Sequence, residues 1–274
     1  MNLKKIHVGL IGVGGVCDAV HYPGFQRIPD VEIVGICEPN DQLRADRQKE
    51  WGIDNCFADA DEFFEKVKPD AVAIATPNKF HKPLIELALR SKSHVLCEKP
   101  LGMNYPETVE LYDAAKKSGL RHMTAFTYRF VPALNFIRDL VRKGELGTIR
   151  HARFQRLQDW GEDGIGWRQY KNMAGSGELG DMGIHRIDFA EDLLGPIVEL
   201  CAGAKQLIGR DKMPDGSPCR PQDVEDWVSW IAEFEGGTTG VFEMGKDQPY
   251  RRSGWSRSSS PMLLFMLSKV RRCA

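Results

Sequence analysis

Three short segments of the 274-residue sequence combine residue types and spacings that could do chemistry. They are, in chain order, a glycine run followed by an acid at Glu38, a lysine at Lys99, and the pair Asp181 and His185. Glycine turns expose backbone N–H groups that can bind phosphate. Lysine, aspartate and histidine side chains can transfer a proton to or from an oxygen. The sequence therefore offers a binding segment and a set of acid–base groups, and both depend on the elements that position them.

The glycine run consists of Gly12, Val13, Gly14, Gly15 and Val16. An apolar stretch (Ile6–Ile11) precedes it, a helical pattern follows it, and a second apolar stretch ends at Glu38. Gly12 permits a tight turn, Gly14 lets the backbone approach a pyrophosphate, and a helix starting near Gly15 points its N–H groups at that phosphate. A strand, a glycine turn, a helix, a second strand and an acidic residue follow one another here, and this order predicts a dinucleotide-binding site. The alternative is a tight βα turn in another kind of α/β protein.

Glu38 also bears on the choice of dinucleotide. A carboxylate there can accept hydrogen bonds from both ribose hydroxyls and repels a 2′-phosphate, which favours NAD over NADP. Arg44 is close in sequence and keeps NADP possible. Cys17 stands where this motif usually has a third small residue, and it is small and apolar enough to pack there.

Polar residues also follow two other predicted strands, where α/β proteins place their ligands. They are Thr76, Pro77, Asn78 and His81 after strand 71–75, and Glu98, Lys99 and Pro100 after strand 94–97. A lysine between a strand and a helix is usually just exposed. The peptide bond between Lys99 and Pro100 could be cis.

The third segment predicts a helix over about 180–194. Its polar positions at i, i+4, i+7 and i+11 form one stripe, namely Asp181, His185, Asp188 and Asp192. A neighbouring apolar stripe is expected to face the core, namely Ile184, Ile187 and Leu194. At this spacing the Asp181 carboxylate can raise the pKa of His185 or fix its tautomer, and the preceding glycines let a ligand approach the backbone. A solvated polar face is the alternative, and no metal is expected because no third ligand has suitable spacing.

The wider pattern predicts the architecture that holds these segments. Apolar runs at 31–37, 71–75, 94–97 and 122–126 alternate with helical stretches near 41–51, 60–67, 80–91 and 105–118. Asn104 and Glu107 suit the start of the last of these helices, and Gly119 suits its end. This alternation predicts a doubly wound parallel sheet over residues 1–126, although the boundary could also follow the helix 130–143 at Gly144.

The second half has a different pattern. Residues 148–157, 198–208, 224–234 and 238–244 look extended, and the turn at Gly236 and Gly237 connects two of them. We expect a C-terminal α+β domain over 127–245 with an open, mainly antiparallel sheet. Residues 246–274 hold seven basic residues and one acidic residue, a net charge of +6, which leaves −7 for residues 1–245. This tail is expected to be either the product of a shifted reading frame or a genuine short basic extension.

Composition excludes several classes of protein. The acidic body of the chain argues against nucleic acid as a partner, and no apolar run is long enough to span a membrane. Seven scattered cysteines without a CxxC pair predict free thiols in a reducing compartment, hence a cytoplasmic protein without a zinc site.

Taken together, these motifs resemble the glucose–fructose oxidoreductase/inositol dehydrogenase/MocA family over about residues 5–245. The segments that carry the resemblance are the glycine turn, Ala75–Asn78 with His81, Glu98–Pro100, Tyr128–Phe130 and the run Gly180–Asp188. The resemblance implies a Rossmann domain, a sheet-based second domain, homodimers or homotetramers, and hydride transfer between NAD(P) and a sugar, cyclic polyol or related carbohydrate.

The resemblance also implies roles for individual residues. His185 would exchange the hydroxyl proton, while Lys99 and Asp181 would orient and polarise the carbinol. The segments that would hold the cofactor are Gly12–Val16, Glu38, Thr76–Asn78, His81, Glu98 and Lys99. Candidate sugar contacts are Tyr128, Arg129, Trp160, Trp167, Arg168 and Tyr170, with ordinary packing as the alternative for each. A non-catalytic dinucleotide-binding regulator, an inactive family member, or a transient redox step serving glycoside elimination or hydrolysis are the alternative functions.

Overall fold

The structure is a computed structural model that describes residues 5–158, 166–213 and 216–246. The chain divides between Ala125 and Phe126 into two compact units. The position of Trp160 and the predicted tail beyond Lys246 lie outside the described residues.

The N-terminal unit alternates strands with helices along its length. Its strands are β1 (Ile6–Ile11), β2 (Val31–Cys37), β3 (Cys56–Phe57), β4 (Ala71–Ile74), β5 (His94–Cys97) and β6 (His122–Thr124). Its α-helices are α1 (Tyr22–Gln26), α2 (Asp41–Trp51), α3 (Ala60–Val67), α4 (His81–Arg90) and α5 (Tyr105–Ser118). The strands pair in parallel in the order β3-β2-β1-β4-β5-β6, which is the Rossmann arrangement.

Both faces of this sheet are buried, as the apolar runs require. Val8 and Leu10 of β1 pack into one apolar cluster and Ile11 packs into another, so successive side chains serve opposite faces. Helix α5 starts and ends where its capping residues predict. The side chain of Asn104 accepts a hydrogen bond from the Glu107 N–H at 3.0 Å, and Gly119 ends the helix with φ +69°.

The C-terminal unit is built on a four-stranded sheet. Its strands are β7 (His151–Leu157), β8 (Ile197–Lys205), β9 (Trp227–Phe234) and β10 (Thr239–Gly245), and its α-helices are α6 (Pro132–Arg142), α7 (Lys171–Ala174) and α8 (Ile184–Leu194). The order is β7-β10-β9-β8, with β7 parallel to β10 and the other two pairs antiparallel. Side chains from the sheet and from α8 share one aromatic core, in which Trp230 and Phe242 stack at 4.5 Å.

The helix predicted over about 180–194 differs at its start. Residues Leu179–Gly183 form a π-helical turn, and only then does α8 begin. A π turn holds more residues per turn than an α-helix, so it rotates Asp181 relative to the stripe on α8. The expected apolar face also shifts, because Phe189 and Ala190 are the fully buried apolar residues of α8, while Ile184 and Ile187 are only partly buried.

The described residues show neither a membrane span nor a clustered metal site. Across them, no helix combines the length and apolar character needed to cross a membrane. The same ranges contain no group of three or more His, Cys, Asp or Glu side chains that could hold a metal ion. Cys17, Cys37 and Cys97 are buried free thiols, and burial raises the pKa of Cys17 and of Cys37 to about 12.

Candidate functional site

The glycine run forms a turn that is tight at one end and open at the other. Gly12 has φ +79°, and a Cβ there would lie 2.7 Å from Cγ2 of Thr76. A Cβ at Gly14 or Gly15 would meet no atom within 4 Å. The first helical hydrogen bond runs from the Asp18 N–H to the Gly14 carbonyl at 3.0 Å, so the N–H groups before it have no intrahelical partner. This loop therefore offers both the space and the donors that a pyrophosphate needs.

Glu38 is buried at the end of β2 and faces this loop. Its carboxylate accepts hydrogen bonds from the Val13 N–H at 3.2 Å and the Asn40 N–H at 3.0 Å. Arg44 donates to the Glu38 carbonyl at 2.7 Å and pairs with Asp41 at 2.6 Å. The glycine loop is thus tied to the acid expected to bind ribose, and the Arg44 charge is matched by Asp41. The residues present fit NAD.

His81 holds together the segments that follow β4 and β5. The ring has no exposed surface, with Nε2 3.0 Å from the Thr76 carbonyl oxygen and Nδ1 2.8 Å from the Pro100 carbonyl oxygen. Carbonyls only accept, so a neutral ring can donate to one of them. Burial lowers the pKa of His81, and the two carbonyls oppose that change. The ring therefore braces Thr76, Pro77 and Pro100 from inside the unit, and Asn78 beside them is also buried.

The Glu98 side chain holds the segment that carries Lys99. The peptide bond between Lys99 and Pro100 is cis. One Glu98 carboxylate oxygen lies 2.9 Å from Nε2 of His21, and the other accepts from the Lys99 N–H at 3.3 Å. His21 lies in the π-helical turn Cys17–His21 after the glycine run, so it connects that run to the lysine segment. Sequence reasoning did not single out His21, because nothing local marks a pair that lies 77 positions apart.

In the C-terminal unit, Asp181 lies in the π turn between two cations. Its Oδ2 is 3.2 Å from Nζ of Lys246, and its Oδ1 is 3.8 Å from Nε of Arg168. The Arg168 guanidinium stacks 4.4 Å from the centre of the Trp167 ring. Arg168, a predicted sugar contact, therefore lies beside the predicted catalytic residue Asp181, and Trp167, another predicted sugar contact, stacks on Arg168.

His185 lies in the first turn of α8 and is buried against aromatic rings. The Tyr128 ring centre is 4.8 Å from that of His185, and the Phe126 ring centre is 6.1 Å away, both edge to face. The Arg186 guanidinium lies 4.9 Å from the Tyr128 ring centre, and Arg156 donates to the Tyr128 hydroxyl at 3.3 Å. Tyr128 thus packs against the predicted proton acceptor while its hydroxyl is engaged by a cation.

The remaining acids of the predicted stripe form ion pairs within the fold. Asp188 is buried and accepts two-pronged hydrogen bonds of 2.6–3.0 Å from Arg129, which raise the pKa of that guanidinium. Asp192 pairs with Arg138 at 3.2 Å and with Arg142 at 3.1 Å. The solvated-face alternative is therefore wrong for these two acids, because arginines from neighbouring segments cover them. Of the other named aromatic candidates, Tyr170 donates its hydroxyl to the Arg220 carbonyl at 3.1 Å.

The glycines before Asp181 also differ from expectation. A Cβ at Gly177 would lie 1.8 Å from the Glu225 carbonyl oxygen, so the close approach there is to the protein's own backbone. The Glu225 side chain accepts from the Gly177 and Leu179 N–H groups at 2.8 and 3.1 Å. Glu225 therefore fixes the start of the π turn that carries Asp181.

Two buried charged residues near Asp181 were not predicted from the sequence. Glu178 has no exposed surface, and burial raises its pKa to about 7 although Lys246 opposes that rise. Lys246, which the sequence pattern assigned to the basic tail, is buried with Nζ 3.0 Å from Glu178. No local sequence pattern indicates this pair, because β8, β9 and β10 separate its two residues along the chain.

Comparison with known proteins extends over both units. A family profile described as an oxidoreductase family with an NAD-binding Rossmann fold matches residues 6–126, and a GFO/IDH/MocA C-terminal domain profile matches residues 135–259. The second match continues past Gly245, where we expected the resemblance to end.

Individual relatives agree with these profiles. Levoglucosan dehydrogenase of Pseudarthrobacter phenanthrenivorans is 32% identical over 88% of this chain and 67% of its own length. D-glucoside 3-dehydrogenase of Escherichia coli is 33% identical over 86% of this chain and 69% of its own length. A solved structure of levoglucosan dehydrogenase in complex with NADH and levoglucosan superposes with a TM-score of 0.80 at 31% identity, covering 90% of this chain and 68% of that one. These matches confirm the predicted fold class, the NAD-dependent oxidoreductase class and the cofactor. The chain belongs to the Gfo/Idh/MocA oxidoreductase family.

Proposed function

We propose that this protein oxidises a secondary ring hydroxyl of an unphosphorylated pyranose sugar or pyranoside, with NAD as the oxidant. The observation that carries the proposal is the grouping of Asp181, Trp167 and Arg168 in a chain whose glycine loop leaves Gly14 open. An aromatic face, a guanidinium and a carboxylate are groups that suit the face and hydroxyls of a sugar ring. The names of the relatives, which include a glucoside and an anhydro-sugar dehydrogenase, support the same substrate class.

In this proposal each unit contributes its own groups. Gly14, Gly15 and Glu38 hold the dinucleotide, with His81 and Glu98 keeping the neighbouring loops in place. When bound, NAD supplies the acceptor for the hydride. His185 takes the proton of the substrate hydroxyl, because an imidazole is the side chain whose ordinary pKa suits that transfer near neutrality. Lys99 and Asp181 orient and polarise the hydroxyl that reacts.

The proposal is tested by NADH formation with the purified full-length chain. The panel contains levoglucosan, a methyl glucoside, glucose, glucose 6-phosphate and myo-inositol, each with NAD and separately with NADP. We expect turnover with at least one unphosphorylated pyranose and NAD, and slower turnover with myo-inositol. NADH binding without turnover on the whole panel would instead support the regulator alternative, and a changed sugar without net NADH would support transient redox chemistry.

We further propose that the protein is a cytoplasmic homo-oligomer, a dimer or a tetramer. Its buried free thiols and the exposed apolar side chains of Val198, Leu200 and Ile231 on the C-terminal sheet support this proposal. Light scattering of the purified chain tests it, and a monomer at micromolar concentration would contradict it.

A further inference from the structure

Lys246 follows the last residue of β10 and buries its side chain. Its backbone N–H donates to the Asp226 carbonyl at 3.0 Å, which fixes the residue at the end of the strand. Its side chain is only 5% exposed, with Nζ 3.0 Å from Oε2 of Glu178 and 3.2 Å from Oδ2 of Asp181. One ammonium therefore bridges two carboxylates. These three residues are called the Lys246 cluster below.

The two carboxylates of the Lys246 cluster differ in burial. Glu178 has no exposed surface, whereas the Asp181 side chain is 16% exposed. A buried ammonium needs a carboxylate nearby, because leaving either charge alone in a dry interior is costly. Glu178 by itself would meet that need. The second bond of Lys246 goes to Asp181, the acid of the cluster that reaches the surface and that also lies 3.8 Å from Arg168.

Several other charged or titratable groups face the Lys246 cluster from the elements around it. Arg168 lies 3.8 Å from Asp181, and Glu225 accepts from the backbone at the start of the π turn. Arg156 and Arg186 act on Glu178 through their charges, and Tyr128 lies against Arg186. His185 follows on the next turn. The surrounding cations favour the ionised forms of both carboxylates, but burial of Glu178 outweighs them and raises its pKa to about 7.

We propose that Lys246 is a positioning residue for sugar oxidation, because its ion pair with Oδ2 keeps Asp181 ionised and in one orientation while Glu178 shares the same ammonium. This inference rests on the proposed function, in which Asp181 acts on the substrate hydroxyl. Fixing Oδ2 also sets the direction in which Oδ1 points. Protonation of Glu178, whose pKa is about 7, removes its competition for the Lys246 ammonium, so the hold on Asp181 tightens as the pH falls toward neutrality.

Lys246→Met tests this proposal by removing the charge at nearly constant side-chain length. We expect kcat/KM for the sugar to fall by about tenfold to a hundredfold, with the Kd for NADH unchanged. The acidic limb of the pH–rate profile should move to higher pH, because the carboxylates lose the cation that favours their ionised forms. Lys246→Arg should restore most of the activity and the profile. Lys205→Met removes a lysine from exposed strand β8 and serves as the matched control.

A second readout does not depend on turnover. Infrared difference spectra across a pH titration, with Asp181→Asn used to assign the band, follow the Asp181 carboxyl directly. We expect its midpoint to rise in Lys246→Met and to stay near the wild-type value in Lys246→Arg. If Lys246→Met does not fold, the same titration in Glu178→Gln should show a lowered Asp181 midpoint, since the Glu178 carboxylate then no longer competes for the ammonium.

The outcomes separate this proposal from the proposed function. A folded Lys246→Met protein with wild-type kcat, KM, pH profile and Asp181 midpoint would overturn the role of Lys246. A loss of thermal stability with an unmoved pH profile and midpoint would also overturn it. A wild-type protein that forms no NADH with any sugar would overturn the proposed function, and the infrared midpoints would still decide whether Lys246 controls Asp181.

Discussion

The two units of this protein prepare their functional groups by different means. In the N-terminal unit the important groups are backbone atoms, and the glycine loop presents them because Gly12 can take φ +79° while Gly14 stays open. In the C-terminal unit the important groups are charged side chains, and Asp181 is placed by Lys246, Arg168 and the π turn. The first unit should therefore be sensitive to the shape of its backbone, and the second to the removal of single charges.

The largest expected effect comes from removing the groups assigned to proton transfer and polarisation. We expect His185→Ala and Lys99→Ala each to lower kcat by about a hundredfold to ten-thousandfold, because a positioned acid or base contributes that much. The Kd for NADH should stay unchanged in His185→Ala, since His185 is not among the residues assigned to the dinucleotide. Steady-state kinetics and NADH fluorescence titration measure both quantities. Arg153→Ala, an exposed change on β7, is the control, and wild-type turnover in either variant would refute the assignment.

Two glycine substitutions should separate stability from cofactor affinity. Gly12→Ala should lower the free energy of unfolding by about 1–3 kcal/mol, because it forces a Cβ into a positive-φ position against Thr76. Gly14→Ala should change that free energy by less than about 0.5 kcal/mol, since its Cβ meets no protein atom, yet it should weaken NADH binding about tenfold.

Urea unfolding and NADH titration of both glycine variants provide the measurements, with Gly24→Ala on an exposed part of α1 as the control. Equal NADH affinity in Gly14→Ala and wild type would mean that the open side of the loop is not where the dinucleotide lies.

The arginine pairs on α8 should differ in strength. Arg129→Ala should lower the free energy of unfolding by about 1–2 kcal/mol, because it leaves the buried Asp188 carboxylate without its two-pronged partner, while the half-exposed arginine limits the loss. Arg142→Ala should cost less than about 0.5 kcal/mol, since Arg138 still pairs with Asp192. Chemical denaturation compares the two variants, and an equal loss in both would show that burial of the acid does not decide the effect.

The last prediction concerns the pH dependence of stability. The folded-state pKa of Glu178 is raised to about 7 from the ordinary value of 4.5, so the folded protein binds this proton more tightly than the unfolded chain. The contribution is therefore present below about pH 4.5 and is lost as the pH rises to about 7.

Glu178→Gln removes that contribution. Wild type should lose more unfolding free energy than Glu178→Gln between about pH 5 and about pH 8, as measured by urea titration at each pH. Parallel curves for the two proteins would show that Glu178 is ionised throughout this range.

The sequence predicted much of the N-terminal unit because its signals are local. The capping residues Asn104 and Gly119 act within a few positions of the helix that they bound, and the glycine run and Glu38 each directly follow an apolar strand. The order of apolar runs then fixes a parallel sheet, since βα alternation leaves few other arrangements.

Less of the candidate site in the C-terminal unit could be predicted from the sequence. The spacing of Asp181 and His185 predicts that they lie on one helix, but no sequence pattern indicates the π turn that contains Asp181. Glu178 and Lys246 come together only because β10 ends beside that turn, and a lone lysine near a basic segment looks solvated. Sequence periodicity describes one element at a time, so contacts between distant elements need the folded chain.

If this chain moves a hydride from a sugar carbon to NAD, an isotope label on that carbon follows the hydride to the nucleotide. A glucoside that carries deuterium at the carbon to be oxidised is incubated with NAD and the wild-type protein, and the nucleotide is analysed by mass spectrometry. We expect one deuterium in the NADH for each ketone formed. Deuterium that appears only in water, or an altered sugar with unlabelled NADH, would contradict it.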